Sequence, residues 1–430
     1  MKHLQLPNGI TAIHVPLPGD RRAYAGVVIR TGSRYESTSQ MGISHFLEHM
    51  MFRGSQAHPT FRQLAESLEW LGGEWNAATG PEHTEYWYLG TISNLTPAIA
   101  ALAEALENPL FLDMDIERQV ILRELQGELN EFGNSTDLAF QSATHMWRGN
   151  PISSLILGTE HSINSLTLAD LTAYRDRTYI PVNMTVCTVG GEVADVPAYM
   201  DQLAKEFSQH RSKFKGSSLE RPPSPAAFKG PVSTIVNNTD NEYQVQLSFE
   251  CEGLWSEKSA TYEIITRILG DGFSSRLSCR LREELGLVYD ISADTTMYTD
   301  VGSLNVTAAV GMDNFKIFLE ELLKILCDLA QNGPKPSEVE RAIRRTTSDL
   351  EILPHDPAGM GFRLAWMVGN QRDPSLALVS NRLQAVTADT VRKTCQELFR
   401  RQHTCLIAIG PEDKSTADMM KKVMEQNLPE

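Results

Sequence analysis

Two imidazoles and a carboxylate fall close together in the segment GISHFLEHMMFRGS: His45, Glu48 and His49. At about 100° per residue these three side chains share one helical face. Two imidazoles at i and i+4 can chelate one zinc ion, and a carboxylate between them can reach a water on that ion. Chance spacing would give such an HxxEH arrangement about 0.02 times in a chain of this composition. A catalytic zinc takes three protein ligands and keeps one position open, so a third donor must come from elsewhere. Glu117 and Glu124 in ERQVILREL are the strongest candidates: seven residues is nearly two helical turns, so both project from one face. One of them can ligate while the other supports the site from behind.

This chemistry requires the motif to sit on a helix held in a core. Residues 41–53 read as that helix, with Ile43, Phe46, Leu47, Met50 and Phe52 as its apolar anchors. A buried strand is expected at 24–31, a strand at 84–91 and another at 184–190. Thr60 and Gln63 form a capping box opening a helix through about Trp70. Thr96-Pro97 supplies a cap and a first-turn proline for TPAIAALAEALEN. A longer helix from about Asp113 to Glu131 carries the two glutamates, and Thr167 with Asp170 starts another. The N-terminal MKHLQLPNGITAIHV reads as two short strands about the Pro7-Asn8-Gly9 turn.

The chain has 430 residues, 41% of them hydrophobic and 22% charged, which suits two to three ordinary globular domains. A net charge of −15 argues against nucleic acid and against an anionic membrane surface as partners. No apolar run approaches the length of a membrane span, and no secretory leader is visible, so a cytoplasmic location is expected. None of the six cysteines forms a CxxC, which fits buried, reduced thiols. His83 reads as a hydrogen-bonded structural histidine, and Gly270-Asp271-Gly272 does not open a phosphate loop.

Residues 209–231 are rich in Ser, Pro, Lys and Arg and lack a hydrophobic period, which marks a linker. The expected organisation is a metal-binding domain over 1–210, a linker over 211–230 and a second domain over 231–430. The two halves read as a diverged repeat. LGGEWNAATG, TEYWYLG, a helix and MDIERQVILREL are matched by LGLVYDISADTTM, VGSLNVTAAV, a helix and SEVERAIRRTTSDL. In that alignment IER at 116–118 falls opposite VER at 339–341, and Thr347 falls opposite Glu124. The expected fold class is α+β, with two homologous domains, each a mixed or antiparallel sheet packed with helices.

HxxEH is the inverted zinc motif of the inverzincins. Together with GGEWNAATGPEHTEY, ERQVILREL and ILGTEHSINSLTLADLTAYRDRTYIPVNMTV, the chain resembles the pitrilysin-like metallopeptidases. Specifically, it resembles the short-subunit branch that includes mitochondrial processing peptidase and its bacterial relatives. The resemblance spans essentially the whole chain. It implies a ferredoxin-like repeat forming half of a metallopeptidase clamshell. It implies one Zn2+ per chain on His45, His49 and Glu124, with Glu48 as general base and Glu117 as a supporting carboxylate. It implies that Asn76, with Ala77 and Thr79 on the same strand, binds an extended peptide. It further implies that Arg282 and Tyr289, in GDGFSSRLSCRLREELGLVYDISA, contact the substrate carbonyl region across a closed chamber. The activity implied is zinc-dependent endopeptidase action on extended or unfolded peptides. The alternatives are a non-catalytic structural or substrate-holding subunit of the same fold, and a maturation protease dedicated to one precursor. Because one chain carries both the zinc motif and the Arg/Tyr pair, a homodimer is the expected assembly, with a paralogue-containing heterodimer as the alternative.

Overall fold

The structure is a computed structural model that describes residues 1–208 and 219–430. Of the expected linker, 211–218 lies outside the described residues, and 219–230 is free of helix and strand. The chain forms two compact units. The first comprises 1–125, 154–222 and 350–375; the second comprises 126–153, 223–349 and 376–430. Each unit therefore takes one segment from the opposite half of the chain.

The first unit holds a six-stranded sheet. Its strands are β1 (Lys2–Gln5), β2 (Thr11–Val15), β3 (Arg22–Ile29), β4 (Glu74–Thr79), β5 (Thr84–Thr91) and β6 (Met184–Val189), in the order β1-β2-β6-β3-β5-β4. β2 and β6 run parallel and the remaining neighbours antiparallel. The second unit holds β7 (Val232–Asn237), β8 (Glu242–Glu252), β9 (Val288–Met297), β10 (Val301–Gly311) and β11 (Thr404–Gly410), in the order β7-β11-β8-β10-β9. Removing β1 from the first sheet leaves the same order, with the same single parallel pair, now β7 with β11. The repeat read from sequence is thus a repeat of topology, and the fold is α+β in both units.

Burial explains the strand compositions. In RAYAGVVI of β3 every residue after Arg22 is buried, because both sheet faces are covered. One face meets α1 (Ile43–Met51), α3 (Leu95–Glu107) and α4 (Met114–Gly127). There Phe46, Leu47, Met50, Ile99, Leu102 and Ile121 form one core. The other face, at Ile13, Tyr24, Val28 and Cys187, is covered by Leu364 and Ala365 of the helix Pro357–Gly369. Each such fully buried side chain contributes about 1.5–3 kcal/mol of burial free energy. β4 pairs with β5 alone and alternates exposed and half-buried residues, as an edge strand does.

Two helix boundaries differ from expectation. Thr96 is not a cap: the 3-10 turn Ile92–Asn94 runs straight into α3, which starts at Leu95. Pro97 then sits in the first turn, where the missing N–H has no helical partner to lose. The helix expected to reach Glu131 stops at Gly127, and Glu128 and Glu131 lie beyond it. By contrast, Thr60 caps α2 (Phe61–Glu69) by accepting the Gln63 N–H, although Gln63 does not close the expected box, and the Thr167/Asp170 capping box is complete. All six cysteines are unpaired; four are buried, and Cys279 and Cys327 are half-buried.

Candidate metal centre

α1 carries ISHFLEHMM, and its apolar face is fixed by the core just described. Its N-terminus is held from an unexpected quarter. The buried Glu36 carboxylate accepts hydrogen bonds from the backbone N–H of Gly42 and of Ser44, both at 2.8 Å. A carboxylate there satisfies two otherwise unpaired helix donors and lies at the positive end of the helix dipole. Burial still pushes the Glu36 carboxyl up to about 7, against those hydrogen bonds. Gly42 adopts φ +87°, and a Cβ there would sit 2.8 Å from the Leu157 carbonyl oxygen, so this turn requires glycine. The Ser44 hydroxyl is paired at 2.7 Å with the Tyr174 hydroxyl, itself 2.9 Å from Thr31.

With α1 so fixed, His45, His49 and Glu124 converge. One ligand atom from each lies within 4.8 Å of the others. His45 Nε2 stands 3.8 Å from Glu124 Oε1, and His49 Nε2 stands 3.7 Å from Glu124 Oε2. Two imidazole nitrogens and a carboxylate oxygen are a donor set that catalytic zinc accepts. Ligands about 2.0–2.2 Å from one zinc stand roughly 3.4 Å apart in a tetrahedron, so small side-chain rotations would seat all three on one ion. Burial, with the charge of His49 adding to it, pulls His45 down to about 3. It is therefore a neutral imidazole at ordinary pH, the form a metal requires.

The remaining polar groups take distinct positions. His49 Nδ1 donates to Glu117 Oε2 at 3.0 Å, which leaves Nε2 to face Glu124. Glu117 is buried, and its other oxygen is paired with Arg53 at 3.0 Å. Glu48 accepts a hydrogen bond of 2.6 Å from the Thr79 hydroxyl at the end of β4. Burial raises the Glu48 carboxyl above its ordinary range; the Thr79 bond and His49 oppose this, and Glu124 adds to it. A general base benefits from such a shift toward neutrality. Asn76 is exposed on the edge strand, with Ala77 beside it; its side-chain oxygen accepts the Ala77 N–H at 2.9 Å.

Arg282 and Tyr289 lie in the second unit, next to each other. Arg282 sits in the π-helix Ser278–Glu284, a rare geometry enriched at functional sites. Its guanidinium lies over the Phe273 ring at 5.1 Å and the Tyr289 ring at 5.5 Å. Tyr289 is 87% exposed. In the repeat position of Glu124 the second unit has Thr347, and no other cluster of three metal-ligating side chains occurs among the described residues. His83 is half-buried, its ring packed against Phe362 and Trp366, and desolvation lowers it to about 4.

Sequence reasoning missed Glu36, Arg53 and the Thr79 contact to Glu48. Arg53 was within reach: it lies four residues after His49 in the motif segment. Glu36 and Thr79 reach α1 only through tertiary folding.

Residues 13–160 match the family described as Insulinase (Peptidase family M16), and residues 165–346 match the Peptidase M16 inactive domain. A protein of Rickettsia felis named as an uncharacterized zinc protease is 28% identical over 421 residues, covering 95% of this chain and 97% of its own. The crystal structure of a protease from Helicobacter pylori superposes with a TM-score of 0.87 at 18% identity, over 95% of this chain and 99% of that one. The periplasmic protease PqqL of Escherichia coli gives 0.80 at 20% identity, over 99% of this chain but 50% of its own. The chain belongs to the pitrilysin-like M16 metallopeptidase family. No helix among the described residues is long and apolar enough to cross a membrane.

Proposed function

We propose that this chain is a zinc-dependent endopeptidase acting on extended or unfolded peptides, with one zinc held by His45, His49 and Glu124. The observation that carries the reading is the convergence of those three donors within 4.8 Å, with Glu48 on the same helical face. When bound, zinc supplies Lewis-acid polarisation of a carbonyl and acidification of a water. Glu48 takes the proton from the attacking water and returns it to the leaving amine. Thr79 holds that carboxylate in place at 2.6 Å. β4 offers its free edge to the substrate main chain, so a peptide adds as a further strand and is read mainly through its backbone. Arg282 and Tyr289 are donors suited to a developing oxyanion. A homodimer is the assembly we expect; the match to half the length of PqqL supports it.

The test is Glu48→Gln assayed on a quenched fluorogenic peptide. Cleavage should fall by about 10²–10⁴-fold while zinc content stays at one per chain. Wild-type protein that holds zinc yet shows no chelator-sensitive cleavage would instead make it a non-catalytic subunit.

A further inference from the structure

Of the two imidazoles in the metal centre, only His49 is held from behind. His45 Nδ1 meets no hydrogen-bond partner among the described residues, whereas His49 Nδ1 is fixed by Glu117. Glu117 is in turn gripped by Arg53, which is 9% exposed. The Arg53 guanidinium forms a fork. Nη1 pairs with Glu117 Oε1 at 3.0 Å, and Nη2 pairs with Asp113 Oδ2 at 3.0 Å. Its Cζ lies over the Phe61 ring, 4.9 Å from the centroid. Asp113 adopts φ +56°, and its carbonyl accepts the N–H of Ile116 at 2.9 Å and of Glu117 at 3.2 Å. The residue that receives one prong of the fork therefore also opens α4, the helix that bears Glu117 and Glu124.

We infer that Arg53 is a positioning residue of the metal centre, tying the end of the histidine helix to the first turn of the glutamate helix. It sets the spacing between the two helices and orients His49 through Glu117. A lysine keeps the charge but, as a single point donor, cannot hold two carboxylates in one plane. The inference rests on the zinc reading above, and it concerns metal affinity rather than turnover.

The experiment measures zinc affinity of the full chain by competition with a chromophoric chelator, alongside the visible spectrum of the Co2+-loaded protein and the Tm of the metal-free protein. Arg53→Met should weaken zinc binding by about 10–100-fold, as loss of groups behind a ligating histidine commonly does. Arg53→Lys should recover part of that loss, Asp113→Asn should give a smaller one, and the Co2+ bands should shift in all three. If Arg53→Met fails to fold, the Lys and Asn variants carry the test. A lowered metal-free Tm with zinc affinity within twofold of wild type in the folded variants overturns the inference and leaves Arg53 as a packing residue. Wild-type protein that takes up no zinc overturns the zinc reading and this inference together.

Discussion

The two units share a strand order but differ sharply in what they bury. Among the described residues, the buried Arg, Glu and His side chains are His14, Arg34, Glu36, His45, Arg53, Glu82, Glu85 and Glu117, and all lie in the first unit. Among the described residues the second unit buries only uncharged polar groups, such as Gln246, Ser248, Asn305 and Thr346. Where α1 presents His45, Glu48 and His49, the helix Ser259–Gly270 buries Ile264, Ile265, Ile268 and Leu269. Glu117 is buried and doubly paired, while Glu340, its counterpart in the repeat, is exposed. Burying charge costs several kcal/mol unless it is paired. The same topology stands without that cost in the second unit, so the strand order itself does not require these buried charges.

The largest break in this comparison should come from Arg34, fully buried and 2.7 Å from Glu82. Arg34→Met should lower unfolding stability by about 3–5 kcal/mol in denaturant titration, whereas Arg276→Met on the more exposed Glu338 and Asp328 pairs of the second unit should lose less. Next, Glu124→Ala should weaken zinc binding more than about 100-fold, while Thr347→Ala at the repeat position should leave it unchanged. Equal loss in both would end the claim that one unit alone holds metal.

A pH test comes third. Tyr24 donates to Glu85 at 2.5 Å inside the sheet, and burial pushes the Glu85 carboxyl up to about 7 against that bond. Between its ordinary value of 4.5 and about 7 the folded state holds a proton that the unfolded state has lost. Stability therefore declines as pH rises across that window and levels off above it. Glu85→Gln keeps an acceptor for Tyr24 and removes the titration, so its stability should fall by about 2 kcal/mol less between pH 5 and 8. Glu36, shifted the same way, leaves a residual slope. Identical slopes in wild type and variant would show that Glu85 does not titrate there. The smallest effect should be the same in both units: Thr167→Ala and Thr387→Ala each remove a capping box and should each lower stability by about 1 kcal/mol.

What was legible in the sequence was local. The apolar period placed α1, the Thr60 and Thr167 caps placed helix starts, and the matching order and spacing of elements revealed the repeat. Glu117 and Glu124 were legible because a helix puts residues seven apart on one face. The errors lie where a neighbour decides. α3 begins two residues early because a 3-10 turn feeds it, and α4 ends at Gly127 although acidic residues continue. Glu36 and Thr79 act on α1 from a loop and a strand end, and no spacing rule links them to it. The helix Pro357–Gly369 read as part of the second half, yet it covers the sheet of the first.

That last helix has a consequence for how the chain is made. The first unit is complete only when residues 350–375 have been synthesised, and the second begins with residues 126–153. A ribosome that has finished the first 210 residues has therefore not released a finished domain. The β3 face that carries Tyr24 and Val28 waits for Leu364 and Ala365. A protease that cuts within 209–218 likewise separates no unit from the other fragment, because each unit is assembled from both pieces. Nicked protein should persist as a two-fragment complex, and neither half expressed alone should fold as its counterpart does in the whole chain.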